Sequence, residues 1–87
     1  MIKIADGLVT RKLDDELIIL NTNNSCYYGL RNSGADIFDF IMETKKCSEN
    51  DIADFLTETY DVSKETALAD INELLAELNR ENMLEIL

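Results

Sequence analysis

The stretch from Ser25 to Met42 reads SCYYGLRNSGADIFDFIM, and its hydrophobic period changes half way along. Tyr27 and Tyr28 are β-prone and lead through Gly29 and Leu30 into Asn32-Ser33-Gly34. Beyond that point Ile37, Phe38, Ile41 and Met42 fall on one face of a helix. A strand therefore runs straight into a helix. Ser33 is expected at the N-cap, its hydroxyl accepting from the Asp36 N–H, with the Asp36 charge favourable at the helix start.

Upstream, the spacing predicts two more strands. In Leu8–Leu13 the residues Leu8, Thr10 and Lys12 oppose Val9, Arg11 and Leu13. Asp14-Asp15-Glu16 marks a turn, and Leu17-Ile18-Ile19-Leu20 is apolar at every position, as expected of a central strand covered on both faces. Asn21–Asn24 is a second turn, rich in residues that tolerate positive φ. Short turns join neighbours in space, so the three strands form an antiparallel meander ending at Ser25–Leu30. Residues 1–6 read as a short lead-in.

Downstream, the chain is helical. Ser48 and Ser63, like Ser33, each precede an apolar-periodic run, and Asp51 follows Ser48 at capping-box spacing. The second helix carries Ile52, Phe55, Leu56 and Tyr60. The third and longest carries Ala67, Ile71, Leu74 and Leu78, with Leu68 and Leu75 widening the stripe. Asn82 is placed to end it in the left-handed conformation, and Met83, Leu84, Ile86 and Leu87 then tuck back as a tail. Three strands followed by three helices make an α+β domain spanning residues 1–87, with the last two helices arranged as in a winged helix-turn-helix.

Composition excludes several functions. With 18 Asp plus Glu against 8 Lys plus Arg the net charge is −10, which argues against nucleic acid and anionic membranes as partners. No run approaches the ~20 apolar residues that span a bilayer, and the N-terminus has no signal-peptide pattern, so a cytoplasmic protein is expected. Cys26 and Cys47 lack CxxC spacing and read as reduced thiols. There is no histidine, no activating base beside either cysteine and no metal-ligand pattern, so neither catalysis nor a metal or other cofactor is expected.

The segment Leu30-Arg31-Asn32-Ser33-Gly34-Ala35-Asp36-Ile37-Phe38 resembles the "L-N-x-T-G-A-x-I-W" signature of the PqqD-like proteins, the peptide-binding domains called RiPP recognition elements. Tyr60 resembles the tyrosine ending that family's second helix, and Asp70-Ile71 with Leu74 and Leu78 resembles its "D-V-x-x-F-L-x-x-L" third helix. The resemblance runs from about Leu17 to Leu84. It implies a non-catalytic role, capturing the leader segment of a ribosomally made precursor peptide. The partner it implies is a maturation enzyme, either a lasso-peptide leader peptidase or a radical-SAM maturase. In such domains the leader adds as an antiparallel strand to the third strand, beside helix three. The physics agrees, because an open edge offers main-chain hydrogen bonds and alternate pockets, and Ser25–Gly29 holds no proline or lysine to block pairing. An open edge could equally pair two copies of the chain into a homodimer.

Candidate peptide-binding residues are therefore Cys26, Tyr27, Tyr28 and Gly29 on the strand and Ala67, Asp70, Ile71, Leu74 and Glu77 on the helix. Alternation puts Tyr27 and Tyr28 on opposite faces, so one of them reaches the core side. Ile71 and Leu74 read equally as ordinary core. The acidic row Asp70, Glu73, Glu77 and Glu81 reads either as a solvated face or as a means of steering a basic leader. Two other classes fit the size and acidity: an acyl carrier protein, although no serine here stands in an Asp-Ser-Leu context, and a winged-helix regulator. Incubation with a phosphopantetheinyl transferase should leave the mass unchanged, and a gel shift with duplex DNA should show no complex; an added arm or a shifted band would reverse the choice.

Overall fold

The computed structural model describes residues 1–87, and in it the alternating first third of the chain becomes four strands. These are β1 (Ile2–Ile4), β2 (Leu8–Leu13), β3 (Glu16–Asn21) and β4 (Cys26–Arg31), followed by α1 (Ser33–Thr44), α2 (Glu49–Thr59), α3 (Lys64–Arg80) and β5 (Leu84–Ile86). Strands β2, β3 and β4 form an antiparallel sheet in chain order, with Ile19 opposite both Thr10 and Tyr28. The expected meander and three helices are thus present.

The period of two sorts the sheet into unlike faces. Leu17, Ile19 and Leu30 point toward the helices and are buried. The other face carries Val9, Arg11 and Leu13 from β2, Glu16, Ile18 and Leu20 from β3, and Tyr27, Gly29 and Arg31 from β4. No element packs over it, which corrects the expectation that β3 is covered on both sides. Three helices cover one face of a three-stranded sheet, and Ile18 and Leu20 are left half-buried between their cross-strand neighbours.

Two turns shape the sheet. Asn21 is the one buried polar residue, and its side-chain oxygen accepts from the Asn23 N–H at 3.0 Å, closing the β3–β4 turn. Gly7 precedes β2 at φ +84°, and a Cβ there would lie 2.8 Å from the Asn23 side chain, so the position needs glycine on two counts.

Helix starts follow the serines at two sites of three. Ser48 and Asp51 form a reciprocal capping box, the Asp51 N–H donating to Ser48 Oγ at 3.1 Å and the Ser48 N–H to Asp51 Oδ2 at 3.0 Å. Ser63 caps α3 by accepting from the Thr66 N–H at 3.2 Å. At α1, however, Asn32 occupies the cap position at φ 54°, with no side-chain cap, and Ser33 is the first helical residue. The chain leaves β4 at Arg31 and must reverse at once, so the sharp bend takes the cap slot one residue early. Asp36 instead accepts a hydrogen bond from the Tyr60 hydroxyl, tying the end of α2 to the first turn of α1.

The core gathers Ile37, Phe38 and Ile41 from α1, Ile52 and Leu56 from α2, and Ile71, Leu75 and Leu78 from α3 against the inner sheet face. Met42, expected on this face, is instead exposed and lines a recess of about 310 Å³ with Lys3, Ile4 and Lys45. The lead-in and tail are also more ordered than expected. β1 and β5 pair antiparallel, Ile2 opposite Ile86 and Ile4 opposite Leu84. Asn82, at φ 59°, turns the chain from α3 into this clasp, as its left-handed tolerance suggested. Ile2 also exchanges two backbone hydrogen bonds with Cys47, at 2.7 and 3.0 Å. Cys47 is buried there, and burial is the main reason its thiol is pushed above the ordinary value. Both cysteines are free.

Ser48→Ala should cost about 1 kcal/mol, lowering Tm by about 4–8 °C for a domain of this size. Ser33→Ala removes no cap and should shift Tm by much less, a contrast that thermal unfolding by circular dichroism would check.

Candidate functional site

β4 is the last strand of its sheet, so one side of its backbone has no partner strand. None of the chain's other backbone hydrogen bonds supplies one. The reason is local: Asn32 swings the chain off β4, and α1 packs against the inner face rather than along the edge. α3 packs on α2 and β5 and stands off from β4. The gap between strand edge and helix is the candidate trough.

The wall that α3 turns toward this trough follows from helical spacing. Asp70, Leu74, Glu77 and Glu81 stand at i, i+4, i+7 and i+11, one stripe on which a half-buried leucine lies among three carboxylates. From the other side Tyr28 reaches across, its phenol near the Glu77 carboxylate. Burial, the nearby Glu77 carboxylate and the charge of Glu81 push the Tyr28 phenol up to about 12, against a smaller opposing effect of Arg80. Carboxylates thus dominate the side of α3 nearest Tyr28.

At the Arg31 end the trough opens into a recess of about 150 Å³, lined by Asn32, Ser33, Leu56, Tyr60, Val62, Ala67 and Asp70. Its floor is apolar and its rim carries the Asp70 carboxylate. Tyr60 is held there by its hydrogen bond to Asp36, which is also the chief reason its phenol is raised above the ordinary value.

The residues singled out from sequence separate into groups. Cys26, Tyr27, Tyr28 and Gly29 all lie on the open-edged strand. Cys26 and Tyr28 point to the trough side, whereas Tyr27 and Gly29 point to the uncovered outer face. Leu74 and Glu77 are half-buried on α3, Glu77 near Tyr28, and Ala67 and Asp70 line the recess. Ile71 is fully buried and belongs to the core. Asn32, Ser33, Leu56 and Val62 were not anticipated as lining residues. They come from the start of α1, from α2 and from the turn before α3, and only the packing of α2 against α1 brings them together. Ala67 and Asp70 were the residues singled out from sequence that lie at that corner. Nowhere do three cysteine or carboxylate side chains converge as metal ligands. No helix is long and apolar enough to cross a membrane.

An antiparallel sheet with a free last edge, followed by three helices of which the last two form a helix-turn-helix pair, defines a small α+β domain with an open strand edge. Residues 16–84 match the model of the family described as coenzyme PQQ synthesis protein D (PqqD), and the chain belongs to that family. Two solved structures share its fold. TbiB1 in complex with the TbiA(beta) leader peptide is 30% identical with a TM-score of 0.86, over 95% of this chain and 94% of that one. A lasso peptide synthetase B1 complexed with the leader peptide is 24% identical with a TM-score of 0.83, over 98% of both chains. No curated protein sequence matches the chain.

Because Tyr28 keeps its proton to about 12 when folded, against an ordinary 10, the folded state binds more protons than the unfolded state between those values. The contribution is present below pH 10 and is lost as pH rises toward 12. Urea unfolding from about pH 9 to 12 should show a stability decline that is shallower in Tyr28→Phe. Equal slopes would place the phenol outside the trough's field.

Proposed function

We propose that this chain is a RiPP recognition element: it binds the leader segment of a ribosomally synthesised precursor peptide and presents it to a maturation enzyme. The observation that carries this reading is the unpaired edge of β4 beside α3, in a chain whose fold and family match a protein solved with its leader peptide bound. The leader adds as a fourth strand on β4. It runs antiparallel, as the rest of the sheet does and as the slightly stronger ladder favours.

In that pose leader side chains alternate between two surroundings. Those turned inward enter the trough, where Cys26 and Tyr28 line one side and Leu74 and Glu77 the other. One of them fills the recess over Ala67 and Asp70. Gly29 and Tyr27 flank those turned outward. An inward-facing leader therefore offers an apolar residue for Leu74 and basic groups for Asp70, Glu77 and Glu81. The enzyme that acts next, a leader peptidase or a radical-SAM maturase, supplies the chemistry, and this chain supplies position and effective concentration. The work of the domain is docking, with no catalytic residue of its own.

Calorimetry against candidate leader peptides tests the reading. N-methylation of two alternate amides in the pairing segment should weaken binding about tenfold, since each lost hydrogen bond is worth about 0.5–1.5 kcal/mol. The same modification on the intervening amides should matter little. Equal loss at both registers, or none, would contradict strand addition. Binding should also weaken several-fold between low salt and about 0.5 M salt, and in Glu77→Lys, if the acidic stripe steers a basic leader.

A further inference from the structure

Apart from Tyr27 and Gly29 at its β4 margin, the outer face of the sheet takes no part in the docking event, yet it is built unlike the rest of the surface. Val9, Leu20 and Tyr27 stand side by side across the three strands, Val9 opposite Leu20 and Leu20 opposite Tyr27. Val9 is 56% and Tyr27 73% exposed. Together with Ile18 and Arg11 they line a shallow groove of about 220 Å³. A monomer gains nothing from displaying such a row, and contiguous exposed apolar surface marks a site of contact.

Charge narrows what covers it. The protein carries a net −10, but the charged residues on this face are Arg11, Arg31 and Glu16. Glu16 is already paired with Arg31 at 3.3 Å, so Arg11 is left without an acidic partner beside the apolar row. On the opposite face the neighbouring Lys12 is paired with Asp39. The face is a cationic, apolar island on an acidic protein. Packing it two-fold against a second copy would set like charge against like.

Position narrows it further. A leader antiparallel to β4 enters at the Arg31 end and leaves at the Cys26 end. The segment that follows the leader, where the covalent change takes place, emerges there. The Val9–Leu20–Tyr27 row lies at that same end of the sheet, and the outward side chains of the bound leader would extend it by a fourth member. We infer that this face, centred on Val9, Arg11, Leu20 and Tyr27, docks the maturation enzyme through an apolar patch bearing a carboxylate for Arg11. The enzyme thereby reads the domain and the bound leader as one surface. This rests on leader docking at β4.

The experiment uses Val9→Asp/Arg11→Glu, both on β2 and away from the leader edge, with Arg11→Glu alone as the milder variant. Leader affinity by calorimetry should stay within about twofold of the parent, showing an intact fold and trough. Processing of the precursor by the partner peptidase or maturase should fall at least tenfold at limiting enzyme, and less in Arg11→Glu. Normal processing by a double variant that still binds leader would overturn the inference and leave leader docking standing. Failure of the parent chain itself to bind leader would overturn the reading beneath it. If sedimentation shows a parent dimer that the double variant disperses while processing continues, the face belongs to a second copy and the inference is wrong.

Discussion

Every amide and carbonyl at the margin of a sheet must find a partner in protein or water, and at β4 the chain supplies none. The rest of the architecture respects that vacancy. Asn32 bends the backbone away from the edge, α1 covers the inner face without overlapping it, and α3 is held off by its packing on α2 and on the terminal clasp. Natural sheets usually blunt such a margin with proline, lysine or an inward charge. From Cys26 to Leu30 there is none, and the first charge, Arg31, is drawn back across the sheet to Glu16.

The charge pattern makes sense on the same terms. Glu73, Glu77 and Glu81 repeat at i, i+4 on α3, an arrangement that costs an isolated helix a few tenths of a kcal/mol per pair. The helix tolerates it because its opposite stripe, Ala67, Ile71, Leu75 and Leu78, is buried in the core. Stability is supplied on one side of α3 while the other is free to carry repulsive charge. Four cations sit in surface ion pairs of little energetic weight.

Much of this was legible in the residues, and the reasons for the exceptions are physical. The switch from alternation to helical spacing around Asn32 placed β4 and α1, and the serine caps placed α2 and α3, because those signals act within a few residues of themselves. The strand with the free edge and the long last helix were therefore placed correctly as elements. The Ser33 cap was displaced because a strand feeding directly into a helix needs its bend before the cap. β1 and β5 escaped notice because three-residue strands carry no period, and their pairing joins opposite ends of the chain. The run Leu17–Leu20 suggested cover on both faces since apolarity alone cannot say whether its neighbour is the same chain. The recess at Asn32, Tyr60 and Ala67 depends on how α2 and α3 meet, which no local pattern encodes.

The clasp has a consequence of its own. The Met1 amino group donates to the Leu87 carbonyl at 3.2 Å, so the two ends of the described chain meet. They meet over α3's Asn72, Leu75, Ala76 and Asn79, on the opposite side of that helix from the trough. A covalent tether attached at either end would leave from nearly the same point without crossing the free edge of β4. The fold is thus indifferent to the order in which it is joined to another protein. A fusion of either polarity would keep β4 free and turn a diffusive encounter into an intramolecular one.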